Sequence, residues 1–252
     1  MCKEKEAIVF KSSFEEANSS PDPYIEKLKE LHINCHPVKA LDFEFCNLAE
    51  LGEKLQNHDQ YEGIIFSSPR CVAAVEMCVA DLSLWKYNRA FVVGEKTAET
   101  VASKLGLVPE GQASGNASSL ASYILNQTIK KPLLLPCGDL AKETLSDILT
   151  QGNISLDKIV VYKTVPDPNL ESSIKNILSS YKINFIVCFS PSSINFSLPL
   201  LKKCGINLSI VEWIAIGPTT ENCLLKHKLK VGCVADKPTP ESLAKAMKEF
   251  LG

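Results

Sequence analysis

Residues 64–69 read Ile-Ile-Phe-Ser-Ser-Pro, and residues 186–191 repeat this stretch as Ile-Val-Cys-Phe-Ser-Pro. A second stretch, residues 91–97 (Phe-Val-Val-Gly-Glu-Lys-Thr), is echoed by residues 214–220 (Ile-Ala-Ile-Gly-Pro-Thr-Thr). Each stretch is a short apolar run followed by Ser, Gly, Pro or Thr, which is typical of a buried strand that turns into a helix. The chain therefore contains the same kind of strand–turn–helix unit in both halves.

The spacing of these stretches indicates that the repeat extends over whole domains. Pro69 and Gly94 are separated by the same number of residues, within one, as Pro191 and Gly217. Self-similarity of this length indicates repeated structural units. We predict an α/β fold made of two similar parallel-sheet domains that are joined by a two-stranded β-ladder, with a cleft between them. Ligands of open α/β sheets bind outside the carboxyl ends of the strands, so matching loops would form the two halves of one site.

Apolar runs alternate with helical patterns along the whole chain, which indicates βαβ units. We expect strands at residues 7–10, 36–41, 63–67, 90–93, 133–135, 159–165, 185–189 and 213–216. Helices are expected at residues 22–31, 48–55, 69–79, 96–105, 117–125 and 140–149, then up to residues 181, 203 and 227, and at 240–250.

The count of strands predicts a discontinuous domain. The C-terminal half lacks one strand–helix unit of the five expected, and the first unit of the chain can supply it. We therefore predict one domain from residues 1–35 and 166–252 and an inserted domain from residues 42–158. Residues 36–41 and 159–165 would cross between the domains and pair with each other.

The bulk composition is that of an ordinary soluble protein. The chain has 252 residues, of which 45% are hydrophobic and 22% are charged. No apolar run approaches the ~20 residues that cross a bilayer, and the N-terminus has no secretory signal pattern. A formal charge of −2 argues against a nucleic-acid partner. We expect a cytoplasmic monomer with neither a membrane nor a nucleic-acid partner.

The ten cysteines are scattered singly, without the spacing of a zinc site. In a chain that is not exported, they are best interpreted as small buried apolar residues. We expect no bound metal.

The candidate site lies in the loops that follow the strands. Each of these loops is rich in Ser, Thr, Gly, Pro and Asn and is predicted at a helix N-terminus, where free N–H groups and the helix dipole favour anions. The alternative is plain helix capping by the same residue types. The candidate ligand-binding residues are Ser67, Ser68, Arg70, Gly94, Thr97, Gly115, Asn116, Pro136, Cys137, Gly138, Ser190, Ser192, Ser193, Gly217, Pro218, Thr219 and Thr220.

Arg70 is the charged residue of this set, and Tyr162 is added to it as the candidate catalytic residue. Arg70 is one of two arginines and is predicted in the first turn of a helix, where its charge opposes the dipole unless an anion binds. Otherwise it is an exposed surface arginine. Tyr162 alternates with apolar residues in a predicted strand, so its phenol could act as a weak acid or could serve β-propensity alone.

Several enzyme classes are disfavoured by what the sequence lacks. It has no Gly-x-Gly-x-x-Gly motif, no Walker loop and no nucleophilic Ser elbow, and none of its four histidines falls in a strand-end loop. A dehydrogenase, a kinase and a triad hydrolase are therefore disfavoured. An enzyme with these loops would hold and shape a polyanion.

The candidate loop residues, together with short motifs near both ends of the chain, resemble those of the uroporphyrinogen-III synthase family, most closely the animal enzymes. The order and spacing of the motifs carry the resemblance, and it spans nearly the whole chain. Ser67 stands where animal enzymes often have Thr, and the segment at residues 81–88 looks shorter than usual. The matching motifs lie at residues 22–25, 66–70, 93–97, 115–117, 135–139, 161–162, 189–192, 216–220 and 238–240.

The resemblance implies a reaction. The substrate would be hydroxymethylbilane, a linear tetrapyrrole with eight carboxylates, which loses its ring-A hydroxyl as water. Ring D then attacks through its substituted carbon to give a spiro intermediate, which opens and closes again with ring D inverted. The family uses no metal or organic cofactor, and Tyr162 would help to expel the hydroxyl. A transient contact with the upstream hydroxymethylbilane synthase is also implied.

Two other classes stay open on the residues alone. A two-domain binding protein for a small anion would share the duplicated loops, and so would a regulatory or scaffold protein with a degenerate cleft. Turnover of hydroxymethylbilane separates an enzyme from both.

Overall fold

The computed structural model describes residues 5–12, 22–79 and 81–252, and its contacts divide the chain into two units. Unit 1 comprises residues 1–42 and 165–252, and unit 2 comprises residues 43–164. Unit 1 is thus assembled from both ends of the chain, whereas unit 2 is continuous. Residues 1–4 and 13–21 of the predicted discontinuous domain lie outside the described residues.

Strands and helices alternate through most of the chain. The strands are β1 (Lys5–Lys11), β2 (Ile33–Lys39), β3 (Leu41–Phe45), β4 (Gly63–Phe66), β5 (Arg89–Val92), β6 (Pro109–Glu110), β7 (Leu133–Gly138), β8 (Leu156–Pro166), β9 (Phe185–Cys188), β10 (Glu212–Ala215) and β11 (Val231–Val234). The α-helices are α1 (Pro23–Lys29), α2 (Leu48–Gln56), α3 (Pro69–Cys78), α4 (Glu95–Thr100), α5 (Ala117–Leu125), α6 (Thr144–Gln151), α7 (Leu170–Ser180), α8 (Pro191–Lys203), α9 (Pro218–Lys226) and α10 (Pro240–Leu251).

Unit 1 is built around a five-stranded sheet in the order β11-β10-β9-β1-β2, with all neighbouring strands parallel. The interior strand β1 shows why both faces of this sheet must be covered by helices. Ile8 and Phe10 belong to one hydrophobic core, Ala7 and Val9 belong to a second core, and all four are fully buried. A parallel strand that is buried on both faces is apolar at every position, as this one is.

Unit 2 repeats this arrangement in a sheet with the order β3-β8-β7-β4-β5-β6. The strands from β8 to β6 are all parallel. Here Ile64 and Phe66 face one core and Ile65 faces another. The prediction of two similar parallel-sheet α/β domains is confirmed. In this correspondence β4, β5 and β6 match β9, β10 and β11, while β7 and β8 match β1 and β2.

The strand that neighbours β8 differs from the predicted one. Residues 33–39 form β2, which pairs with β1 along its whole length, from Lys5 opposite Ile33 to Lys11 opposite Lys39. The buried Ile33 and Val38 tie β2 to the cores of unit 1. The hydrogen-bonded neighbour of β8 is instead β3. The chain passes between the units within β3, after residue 42, and within β8, after residue 164.

Other differences arise where local signals are weak. Strand β11 was not predicted, because its run is four residues long, contains Gly232 and is only half buried. The predicted helix at 96–105 ends as α4 at Thr100 and continues as a wider π-type turn to Leu105. Strand β7 runs on to Gly138, and α6 begins at Thr144 rather than near residue 140. No helix among residues 5–12, 22–79 and 81–252 is both long and apolar enough to cross a membrane.

Two glycines of unit 2 give a matched test of this packing. A Cβ at Gly63 in β4 would lie 2.3 Å from the carbonyl oxygen of Arg89 in β5, whereas a Cβ at Gly52 in α2 would meet its nearest atom at 3.8 Å. We expect Gly63→Ala to destabilise the protein by about 1–3 kcal/mol through overpacking. We expect Gly52→Ala to stabilise it by up to about 1 kcal/mol, because alanine favours a helix. Urea unfolding of both variants measures the difference, and equal midpoints would contradict this packing.

Candidate active site

A pocket opens in unit 2 at the carboxyl ends of β4 and β7, beside β8. Its volume is about 250 Å³. Parallel strands end at the same edge of a sheet, so the loops after β4 and β7 meet there. The residues that line it are Ser67, Ser68, Ala117, Leu135, Ala141, Lys142, Leu145, Ser146, Lys158 and Tyr162. Of the predicted site residues, this set contains Ser67, Ser68 and Tyr162.

Tyr162 places its phenol in the pocket from β8. Its neighbour Val161 is fully buried in a core of unit 2, and the side chain of Tyr162 is half buried and packs against the same core. Burial raises the pKa of the Tyr162 phenol, while the nearby Ser68 hydroxyl and the charge of Arg70 lower it in part. The phenol is therefore protonated at neutral pH and can donate a proton.

The two serines after β4 stand at the start of α3. Ser68 occupies the N-cap position, but its side chain makes no capping hydrogen bond. The hydroxyls of Ser67 and Ser68 lie 3.6 and 3.4 Å from the sulfur of Cys71. The Cys71 N–H donates to the Ser68 carbonyl, but because the Ser68 side chain does not cap the helix, the other N–H groups of the first turn keep their capacity to bind an anion. These serines thus differ from ordinary helix caps.

Arg70 stacks on an aromatic ring beside Tyr162. The central guanidinium carbon of Arg70 lies 3.4 Å from the ring centroid of Phe43, which is a cation–π contact. The rings of Phe43 and Tyr162 meet edge to face, with centroids 5.9 Å apart. Arg70 makes no ion pair with any residue that the structure describes. Its charge therefore lies near the phenol and is still available to an anion.

Lysines in the pocket were missed by the sequence reasoning. Lys158 and Lys142 both line the pocket, together with Ser146. Lys158 bonds to both carboxylate oxygens of Glu143, at 2.5 and 2.7 Å. The strand period gave no usable signal for Lys158, because the register of β8 shifts between Lys158 and Tyr162 and the alternation of faces breaks there. Lys142 gave none, since residues 140–149 were expected to be a regular helix.

The predicted loop at Pro136, Cys137 and Gly138 is not a helix N-terminus. These three residues are the last of β7 and are buried, and α6 begins only at Thr144. Burial raises the pKa of the Cys137 thiol to about 11, so this cysteine is an inert core residue. The prediction of a loop here was wrong because proline and glycine usually indicate a turn, whereas these two residues belong to a strand.

Other predicted residues of unit 2 lie near helix starts but do not line the pocket. Gly94 precedes α4 with φ of 79°, a conformation that favours glycine. Thr97 is buried in the first turn of α4. Gly115 also has a positive φ, and the side chain of Asn116 caps α5 by accepting the Ser119 N–H at 2.9 Å. For Asn116 the structure favours the capping alternative.

In unit 1, capping accounts for part of the predicted set. The Ser190 hydroxyl accepts the N–H of Ser193, and the Ser193 hydroxyl accepts the N–H of Ser190, so the two close a capping box at the start of α8. Ser193 is also fully buried, which leaves its hydroxyl out of reach of a ligand. Ser192 is half buried beside them.

The loop before α9 in unit 1 is more open. Gly217 takes the N-cap position with extended backbone, and Pro218 follows it as the first helical residue. Thr219 is exposed, whereas Thr220 is buried. Thr219 is thus the accessible hydroxyl of this loop, and Thr220 is inaccessible to a ligand.

Within the described residues, no group of three or more His, Cys, Asp or Glu side chains is arranged to hold a metal ion. Nine cysteines are free thiols in this part of the chain. The donors that the pocket does present are hydroxyls, a phenol and ammonium groups, which suit carboxylates.

Comparison with known proteins extends the observations to the whole chain. Residues 22–245 match the family model described as uroporphyrinogen-III synthase HemD. A curated uroporphyrinogen-III synthase of Schizosaccharomyces pombe is 28% identical over 243 residues, which cover 91% of this chain and 92% of the relative. One of Chlorobaculum parvum is 24% identical and covers 76% of this chain and 80% of the relative.

Solved structures share the fold. A crystal structure of uroporphyrinogen-III synthetase from Helicobacter pylori matches with a TM-score of 0.67 at 16% identity and covers 98% of this chain and 99% of that chain. A mutant uroporphyrinogen III synthase from Thermus thermophilus matches with a TM-score of 0.59 at 15% identity, over 97% and 98% of the two chains. At these identities the likeness concerns the fold alone.

The protonation state of Tyr162 can be measured directly. Because burial disfavours the phenolate, we expect this phenol to ionise above its ordinary pKa of 10.0. The ultraviolet difference titration between wild type and Tyr162→Phe isolates the signal of this one phenol, and circular dichroism checks that the fold persists over the same pH range. Ionisation at or below pH 10.0 would contradict the buried position of the ring.

Proposed function

This chain belongs to the uroporphyrinogen-III synthase family, and from that premise we propose that it converts hydroxymethylbilane into uroporphyrinogen III. The observation that carries the proposal at the level of the site is the half-buried Tyr162 phenol in a pocket with three serine hydroxyls and two lysines. The substrate class fits these groups, since hydroxyls and ammonium groups bind carboxylates. The enzyme is a lyase of tetrapyrrole biosynthesis that closes a ring with loss of water.

In the proposed first step, Tyr162 acts as the general acid. Its phenol donates a proton to the ring-A hydroxyl of hydroxymethylbilane while the carbon–oxygen bond breaks, so the hydroxyl leaves as water. The cation that remains on the substrate is next to a pyrrole, whose nitrogen lone pair stabilises it. A phenol with a raised pKa does not lose its proton to solvent before the substrate binds.

Ring D then completes the reaction, and no protein group other than Tyr162 gains or loses a proton. Its substituted carbon attacks the cation to give the spiro intermediate, which opens, and ring D closes again in the inverted sense. Ring D loses a proton when it becomes aromatic once more, and this proton can restore the Tyr162 phenol. The net change is loss of one water. Unaided closure gives the uninverted isomer, so the enzyme acts chiefly by restraining ring D.

The carboxylates of the substrate are proposed to bind at the polar groups near this phenol. In unit 2 the donors are Ser67, Ser68, Arg70, Lys142 and Lys158. Arg70 supports this assignment because its guanidinium stacks on Phe43 and makes no ion pair in the described part of the chain. Thr219 of unit 1, whose side chain is exposed at the start of α9, stays a predicted substrate-binding residue.

We further propose a transient contact with the synthase that produces hydroxymethylbilane. Hydroxymethylbilane closes on its own in water, so a transient contact with the synthase that produces it would shorten its time in solution. We also propose a cytoplasmic location, where that upstream enzyme would be met.

The decisive experiment is turnover of the substrate. The full-length protein is incubated with freshly made hydroxymethylbilane, the products are oxidised, and the uroporphyrin isomers are separated by chromatography. We expect the type III isomer to dominate, whereas buffer alone gives type I. A protein that binds hydroxymethylbilane but leaves the isomer ratio unchanged would be a binding or scaffold protein, and the proposed function would fall.

Loss of the phenolic hydroxyl should slow the chemical step. We expect Tyr162→Phe to lower kcat at least tenfold, since general-acid help is worth about 10²–10⁴-fold. The ring and its packing are kept, so the melting temperature should change little. Tyr87→Phe removes the same atom from a side chain that is 90% exposed and serves as the control. Full activity of Tyr162→Phe at saturating substrate would make Tyr162 a structural residue.

Removal of a pocket charge should weaken substrate binding instead. We expect Lys142→Ala to raise KM by about two- to tenfold, with kcat little changed, because it removes one of several carboxylate donors. The effect should shrink at high salt, where such interactions are screened. Lys202→Ala removes the same charge from the exposed end of α8 and is the matched control. Ser67→Ala should act like Lys142→Ala but without the salt dependence. Equal KM values for both lysine variants would remove Lys142 from the site.

A further inference from the structure

The ring of Tyr162 lies directly against the backbone of Gly138. A Cβ at Gly138 would be 2.5 Å from Cζ, 2.6 Å from Cε2 and 2.7 Å from the phenolic oxygen of Tyr162. Carbon atoms in contact are normally about 3.5–4.0 Å apart, so no larger residue fits under this ring. The backbone of Gly138 does not have a positive φ, so its conformation alone does not demand glycine. The missing side chain is therefore required by the ring above it.

The pairing of β7 with β8 brings these two residues together. Cys137 is opposite Val160, but Gly138 is opposite Tyr162, so the register shifts by one residue between them. Such a bulge re-aims the side chain that follows it. Two hydrogen bonds from Asp139 hold the bulged strand in place. The Asp139 N–H donates to the Tyr162 carbonyl at 3.0 Å, and the Asp139 carboxylate accepts the Thr164 N–H at 2.9 Å.

The ring is confined on its other sides as well. Phe43 meets it edge to face with centroids 5.9 Å apart, and the Ser68 hydroxyl lies near the phenol. A methyl group at Gly138 would have to move the ring by about 1 Å to restore an ordinary contact distance. The ring is the end of a side chain and can move without the backbone, so the fold should tolerate this displacement.

We propose that Gly138 is a positioning residue for catalysis and not a substrate ligand. Its lack of a side chain, together with the bulge before Tyr162, fixes the phenol at the place from which it donates its proton. This inference rests on the proposed function of Tyr162 as the general acid. It also replaces the sequence-based expectation that Gly138 contacts the substrate from a loop.

A double-mutant cycle tests whether Gly138 acts through Tyr162. We expect Gly138→Ala to lower kcat by about ten- to a hundredfold, because displacement of a catalytic group by 1 Å has effects of this size. KM should stay within about threefold of wild type. In the Tyr162→Phe background the same substitution should lower kcat less than about twofold, since the group it displaces is no longer active. Gly52→Ala, whose Cβ meets no atom closer than 3.8 Å, is the control.

Equal losses of kcat in both backgrounds would overturn the proposal, because Gly138 would then act independently of the phenol. Unchanged kcat in Gly138→Ala would overturn it as well.

A second measurement follows the ring without any assay of activity. The six tyrosines are replaced by 3-fluorotyrosine, and the fluorine resonance that disappears in Tyr162→Phe is assigned to Tyr162. We expect this resonance to shift in Gly138→Ala and to stay in place in Gly52→Ala. An unshifted resonance would contradict the proposed displacement. If wild type forms no type III isomer, the proposed function falls, and the fluorine shift still decides whether Gly138 positions the ring.

Discussion

Interior strands of both sheets are buried on both faces, and this constraint determines where the protein can carry reactive side chains. Strand β1 has four consecutive residues without solvent exposure, and β4 is buried at all of its positions. An unpaired polar group in such a strand would cost free energy, so reactive side chains are confined to the strand ends and to the edge of the sheet. In unit 2, the pocket with Tyr162 lies where β4 and β7 end and where β8 approaches the edge.

The duplicated Ser-Pro motif shows that one sequence pattern can serve two purposes. In unit 1, Ser190 and Ser193 satisfy each other in a capping box, and the polar groups at the start of α8 are used internally. In unit 2, Ser68 holds the equivalent position without a capping bond, and it lines the same pocket as Tyr162. The position after Pro69 is also different, since it holds Arg70 stacked on Phe43. The repeated pattern indicates the fold, whereas the differences between its two copies indicate the site.

Sequence reasoning succeeded where burial on both faces left a strong pattern. The apolar runs at residues 7–10 and 64–66 predicted buried strands, and the repeat between the two halves of the chain predicted two similar domains. It failed where a residue's role depends on distant contacts. The local sequence at Pro136 and Gly138 does not distinguish a turn from a strand, because the glycine is required by the ring of Tyr162, which lies on the neighbouring strand. Lys142 enters the pocket because α6 begins late, and β11 is recognised as a strand only beside β10.

The position of β1 has a consequence for synthesis of the chain on the ribosome. One neighbour of β1 is β2, but the other is β9, and Glu6 bonds to Asn184 across 178 residues of sequence. Unit 2 is continuous and has all its strands once β8 has been made. Unit 1 must keep an apolar strand with an open edge until the last third of the chain emerges. Contacts this distant in sequence slow folding, and an uncovered strand edge favours aggregation in the meantime. Substitutions that weaken unit 1 would therefore lower the yield of folded protein before they affect the activity of molecules that fold.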